Sequence, residues 1–175
     1  MNIFFLHFHP QYLASLYCDQ HVVKILLEIC QMLYTAWYFS DEMDFVYTNA
    51  PHKKNSDERG YKKAHTGHPM TMWVGSSKEN YKYTTLIGMS LAIEHNKRFG
   101  TVHSCTKHIL WLHNNIPKNF KMMRNEKAYY CDNVPSGITP IPLCMPDAYK
   151  CDNVLKSYRD YYIHEKLAFA RWKGK

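Results

Sequence analysis

The sequence predicts a mainly α fold: a compact single helical domain over residues 1–175, with a short extended segment at its start and long ordered loops. Three observations predict it. Apolar residues recur at helical spacing over several long stretches, helix start and stop residues bracket those stretches, and strand signals are sparse. A chain of 175 residues also suits one core and is short for two.

The elements follow in order. Ile3-Phe4-Phe5-Leu6-His7-Phe8 is a short apolar run, fit for a buried extended segment or a single strand. Pro10 opens a helical pattern reaching about Tyr38, with a break near Cys18-Asp19 where Asp19 is placed to cap a second helix. Residues 40–75 read as loop, acidic at first (Asp41, Glu42, Asp44), then basic, and closed by His65-Thr66-Gly67-His68-Pro69. A connection of that length usually has a job. Ser76-Ser77-Lys78-Glu79 has the pattern of a capping box, Ser76 with Glu79, and the helix behind it should run to about Phe99 and stop at Gly100. Another helix is expected from Ser104 to Asn114. Residues 115–150 carry five prolines and read as ordered loop and short turns. Asp152 is placed to cap a last helix through about Trp172, followed by an exposed tail at 173–175.

Composition narrows the function classes. The formal charge is +7 and the isoelectric point about 9.0, which suits a polyanion partner, DNA first among them, or serves solubility alone. Six cysteines include no CxxC pair, so neither a zinc knuckle nor a thioredoxin motif is indicated. The first residues lack a basic leader, and no apolar run approaches the roughly 20 residues that cross a bilayer. A cytoplasmic, reduced protein without a membrane partner is the expectation.

The long helix after Cys18 carries the chemistry. Val22, Val23, Leu26, Leu27, Ile29, Cys30, Leu33 and Tyr34 cover roughly 160° of arc. Cys18, His21, Lys24, Glu28 and Gln31 fall in a separate arc of about 140°, interrupted by Ile25 and Met32 and so not fully solvated. His21 and Lys24 are neighbours at i, i+3, and Lys24 and Glu28 at i, i+4. A half-buried Glu, Lys and His can shift one another's pKa and support acid–base or amine chemistry; otherwise Lys24–Glu28 is an ordinary helix ion pair.

Cys18-Asp19-Gln20-His21, with Glu28 seven residues beyond His21, resembles the N-terminal helix of the endonuclease V type pyrimidine-dimer DNA glycosylases, small basic helical phage enzymes. Gly67-His68, an aromatic-rich run, and a helix ending Lys97-Arg98-Phe99-Gly100 are similar to a second stretch of that family, and Phe169-Ala170-Arg171-Trp172-Lys173-Gly174-Lys175 is a looser echo. The chain as a whole is more similar to uncharacterised proteins of phages and large DNA viruses that share a Cys-Asp-x-His-Val-Val-Lys element. Those resemblances imply a viral protein, placed in host cytoplasm, nucleus or virion, and a DNA glycosylase or glycosylase–lyase acting on damaged or modified pyrimidines, with Glu28 as the catalytic carboxylate and no cofactor. The family's nucleophile is an amine exposed when the initiator Met is removed. Here Asn2 usually leaves Met1 in place, so the amine is that of Met1 or of Lys24, or else no imine forms and Glu28 activates water.

Other residues extend the expected site. His65, His68, Lys97 and Arg98 are candidate DNA contacts. So are Tyr158, Arg159, Tyr162 and Lys166, in which aromatic and basic groups interleave on the last helix. His65 and His68 with His21 and Cys18 also allow a four-ligand metal site, which would point instead to a metal-dependent nucleobase-modifying enzyme. A non-catalytic nucleic-acid-binding protein is the third reading.

Overall fold

The computed structural model describes residues 2–173. It is mainly α, with seven α-helices and one two-stranded sheet among those residues. The helices are α1 (Pro10–Leu16), α2 (Asp19–Tyr38), α3 (Met43–Asn49), α4 (Pro69–Val74), α5 (Lys78–Phe99), α6 (Thr106–Asn114) and α7 (Val154–Lys166). The strands, β1 (Tyr130–Cys131) and β2 (Ile141–Pro142), pair antiparallel with Cys131 opposite Ile141. None of the described helices is long and apolar enough to cross a membrane.

The two long helices, α2 and α5, form the centre, with α1 against α5 and α6 on both. Gly88 marks the closest approach. A Cβ there would sit 2.8 Å from Ile109 Cδ1 and 3.2 Å from Ile29 Cγ2, so α2, α5 and α6 meet where one residue has no side chain. The core is unusually aromatic, and Trp37, Trp73, Tyr17, Tyr34, Tyr81 and Tyr158 are its largest fully buried side chains.

The segment at residues 3–6 is buried, bends at Leu6, whose N–H donates to the Phe4 carbonyl at 2.9 Å, and has no strand partner among the described residues. Tyr17 replaces one: its hydroxyl accepts the Phe4 N–H at 2.8 Å and donates to the Phe4 carbonyl at 2.9 Å. A buried backbone needs such partners, and the phenol supplies both.

Four expectations from sequence are corrected. Asp19 does not cap α2. Cys18 is the N-cap residue, and the Asp19 carboxylate accepts instead from Arg98 Nη1 at 3.0 Å and from the Lys173 N–H at 2.8 Å. The cap of α5 is Ser77, which accepts from the Asn80 N–H at 3.1 Å, while Ser76 donates to the Trp73 carbonyl at 2.9 Å. Asn153 caps α7, because the Asp152 carboxylate takes the Tyr129 hydroxyl at 2.6 Å; the helix stops at Lys166 and continues only as a 3₁₀ turn, Leu167–Phe169. The 40–75 stretch contains α3 and α4: Val46 is fully buried, and Pro69 with His68 starts α4. The stop at Gly100 is as expected, with φ of 67° in the left-handed region.

Candidate active site

A polar cleft of about 390 Å³ opens over the first half of α2. Its floor is Gln20, His21, Lys24, Ile25 and Glu28. Asn2 and Phe4 of the extended segment form one wall, His68 and Cys144 another, and Tyr161, Lys166 and Phe169 a third.

Glu28 is 8% exposed, yet it is a carboxylate in a polar setting. It accepts the Asn2 backbone N–H at 2.8 Å, and Lys24 Nζ stands 3.7 Å away across one helical turn. Asn2 is itself pinned, its side-chain amide donating to the Cys144 carbonyl at 2.9 Å, with the Tyr158 hydroxyl oxygen 3.4 Å from its Oδ1. The Lys24 side chain is 70% exposed.

His21 is buried, with Nδ1 2.7 Å from the Tyr162 hydroxyl, which also accepts the Cys18 N–H at 2.9 Å. Burial pushes its pKa down to about 4, and the nearby ammonium groups of Lys166 and Lys24 act in the same direction. It is therefore neutral near pH 7. Phe4 and Phe169 pack on the imidazole at centroid distances of 4.9 and 5.7 Å. His68, half-buried at the N-cap of α4, accepts the Met70 N–H at 3.2 Å, and burial likewise brings its pKa down to about 4. Lys166 rests on the Tyr161 ring at 4.8 Å.

The last segment is tied down at the N-terminus of α2. Asp19 donates its N–H to the Arg171 carbonyl at 2.7 Å and accepts from Lys173, and Trp172 Nε1 donates to the Leu16 carbonyl at 3.2 Å. This anchoring holds Phe169 against His21.

His21, Lys24 and Glu28 therefore share one cleft, joined by His68 and Lys166. Met1 lies outside the described residues. Three residues named as DNA contacts are interior. Arg98 is buried and spends its guanidinium on Glu94 at 2.7 Å, Asp19, and the Tyr17, Ser15 and Ala14 carbonyls. Tyr158 is fully buried, donating to the Pro142 carbonyl at 2.7 Å, and Tyr162 supports His21 from below. Lys97, Arg159 and His65 are on the surface, outside the cleft lining; Arg159 Nε donates to the Leu6 carbonyl at 2.8 Å, and His65 has φ of 50°. Among the described residues no three His, Cys, Asp or Glu groups gather as metal ligands. Cys18 is buried and His21 Nδ1 faces Tyr162, so the proposed four-ligand set does not assemble.

Sequence reasoning missed Asn2, Phe4, Cys144, Tyr161 and Phe169 as cleft residues. Phe169, in a run of aromatic and basic residues, was the one with a visible signal. A larger groove of about 460 Å³ lies between α5 and α6, but Met89, Ile93, Val102 and Leu110 line it and no titratable side chain does. The titratable side chains His21, Lys24, Glu28, His68 and Lys166 line the smaller cleft instead. Comparison of the chain with models of protein families, with curated proteins and with solved structures returns no match.

Proposed function

We propose that the cleft is the active site of a DNA-processing enzyme, a glycosylase or glycosylase–lyase that releases a damaged or modified pyrimidine. The observation that supports it is the Glu28 carboxylate, buried in a polar cleft with Lys24 and a neutral His21 on the same helical face. Breaking an N-glycosidic bond leaves positive charge on the sugar C1′. A buried carboxylate beside that carbon stabilises the charge and can take the proton of an attacking water or amine. The surplus of lysine and arginine that makes the chain +7 favours a polyanionic substrate. In the lyase version the amine is that of Met1 or of Lys24.

Glu28→Gln is the test, on oligonucleotides carrying a panel of altered pyrimidines. It should slow base release by about 10²- to 10⁴-fold and leave salt-dependent DNA binding in place. A variant that releases base at the wild-type rate sinks the reading. Borohydride trapping separates the two versions: a covalent adduct retained in Lys24→Met assigns the imine to the other amine, and no adduct in the wild type leaves hydrolysis.

A further inference from the structure

We propose that His21 is a fixed, uncharged hydrogen-bond donor to a carbonyl oxygen of the bound base, and that Tyr162 is the positioning residue that fixes it. The cleft then favours a pyrimidine that turns a carbonyl oxygen, rather than an exocyclic amine, towards that N–H. This rests on the reading of the cleft as a pyrimidine site.

The argument begins with hydrogen counting. The Tyr162 hydroxyl is buried in the interior and its oxygen already accepts the Cys18 N–H at 2.9 Å. Its own proton needs an acceptor, and His21 Nδ1 lies 2.7 Å away. The other atom beside it, the Cys18 thiol sulfur, is a much weaker acceptor than an imidazole nitrogen. The phenol therefore donates to Nδ1, and in a neutral ring the proton is then on Nε2. Flipping the ring would put a carbon against the hydroxyl, and Phe4, tilted at 33°, and Phe169, perpendicular at 89°, pack against it. His21 lines the cleft, and with Nδ1 occupied its remaining polar group is Nε2–H.

The charges around His21 favour the uncharged ring. Lys24 from its own helix and Lys166 from α7 both oppose an imidazolium, and Glu28, two turns along α2, has Lys24 and the Asn2 amide beside it. An uncharged N–H must meet an acceptor. On a base edge that means a ring nitrogen or a carbonyl oxygen, while an exocyclic amine is rejected.

The same donor has a role in bond cleavage. When the C1′–N bond breaks, its electron pair leaves with the base, and in a keto pyrimidine the negative charge spreads onto the carbonyl oxygens. Nε2–H stabilises that charge without giving up its proton. Water adds hydroxide to C1′ and passes its proton to Glu28, and solvent later protonates the departed base.

Two measurements on the full chain test this. ¹⁵N NMR of His21 should show a protonated Nε2 and a bare Nδ1 from pH 7 down to about 5.5, and in Tyr162→Phe a mixture of tautomers. A proton on Nδ1, or an imidazolium at pH 7, overturns the proposal whatever the protein catalyses. The second is binding of thymidine 5′-monophosphate and of a short single-stranded oligonucleotide holding one thymidine, each also made with 2-thio- and 4-thiothymidine. One thio position should weaken wild-type binding by on the order of tenfold and leave His21→Leu unchanged. Loss in both formats marks a site that takes a free nucleotide, and loss in the oligonucleotide alone marks an extruded base. Equal affinities across the three bases, or no binding in either format, overturn the proposal. Base release plays no part in either measurement, so a failed Glu28→Gln test removes the glycosylase reading and leaves this one standing or falling on its own result.

Discussion

Among the described residues are two buried histidine–tyrosine pairs built alike. In one, His21 Nδ1 lies 2.7 Å from the Tyr162 hydroxyl, and in the other His108 Nδ1 lies 2.9 Å from the Tyr34 hydroxyl. Burial lowers both histidines to about pKa 4. The difference is what lies beyond the ring. His21 borders the polar cleft, whereas His108 is fully buried against Tyr34 and Tyr61, and its Nε2, with the His52 backbone nearby, makes no well-formed hydrogen bond. One pair spends the cost of a buried imidazole where a ligand can recover it. The other carries the cost inside the core, against the packing of α2 on α6.

Four experiments break or sharpen this contrast. Arg98→Met should have the largest effect, about 3–5 kcal/mol lost in urea unfolding, because Glu94 and Asp19 are left as uncompensated charges. It should disturb His21, through Asp19 and the anchored segment at 167–173, and leave the NMR signals of His108 in place. Tyr34→Phe comes next, at about 1–3 kcal/mol, since it leaves a second nitrogen of a buried imidazole without a well-formed hydrogen bond. The double change Tyr34→Phe with His108→Leu should recover most of that loss, and Tyr162→Phe should cost less than Tyr34→Phe because His21 reaches the cleft. Equal costs for the two tyrosines would erase the distinction.

Acid gives the third. His21, His68 and His108 are held near pKa 4 in the fold against 6.5 in the unfolded chain. The unfolded state binds protons first, so their full stabilising contribution is present above about pH 6.5 and is lost as pH falls toward 4. Each contributes a slope of up to about 1.4 kcal/mol per pH unit, and His108→Leu should flatten the measured slope by about one proton. An unchanged slope would mean that His108 is charged in the fold. The smallest effect is Lys24→Met, about 0.3–0.5 kcal/mol in the same unfolding assay, because the ion pair with Glu28 is exposed on the lysine side. A larger loss would tie Lys24 to the cleft more tightly than its exposure suggests.

Much of the architecture was legible in the sequence. Apolar spacing located α2, a serine-rich start and the Gly100 stop bracketed α5, and helical arithmetic alone put His21, Lys24 and Glu28 on one face. Two of the three misplaced caps share one physical reason, while Ser76 turns back to the Trp73 carbonyl three residues earlier. Asp19 and Asp152 look like local caps, but each gives its carboxylate to a group far away in sequence, and only tertiary structure supplies that competitor. Arg98 looked like a surface cation at a helix end. Its burial depends on an acid from α2 and three carbonyls around the end of α1, none of which follows from its neighbours in sequence. The role of Tyr162 was hidden for the same reason, since it lies 141 residues from His21.

The cleft is closed by contacts that span very different lengths of chain. Asn2 reaches Glu28 across 26 residues, while Tyr162 reaches Cys18 across 144 and Lys173 reaches Asp19 across 154. Local helices form in microseconds or less, but pairings this distant wait on loop closure. During refolding, α2 can present all of His21, Lys24 and Glu28 while the walls of the cleft are still absent. Ligand binding should therefore return later than helical signal, which makes the site one of the last parts of the protein to come into existence and, by the same token, one of the first that partial unfolding takes away.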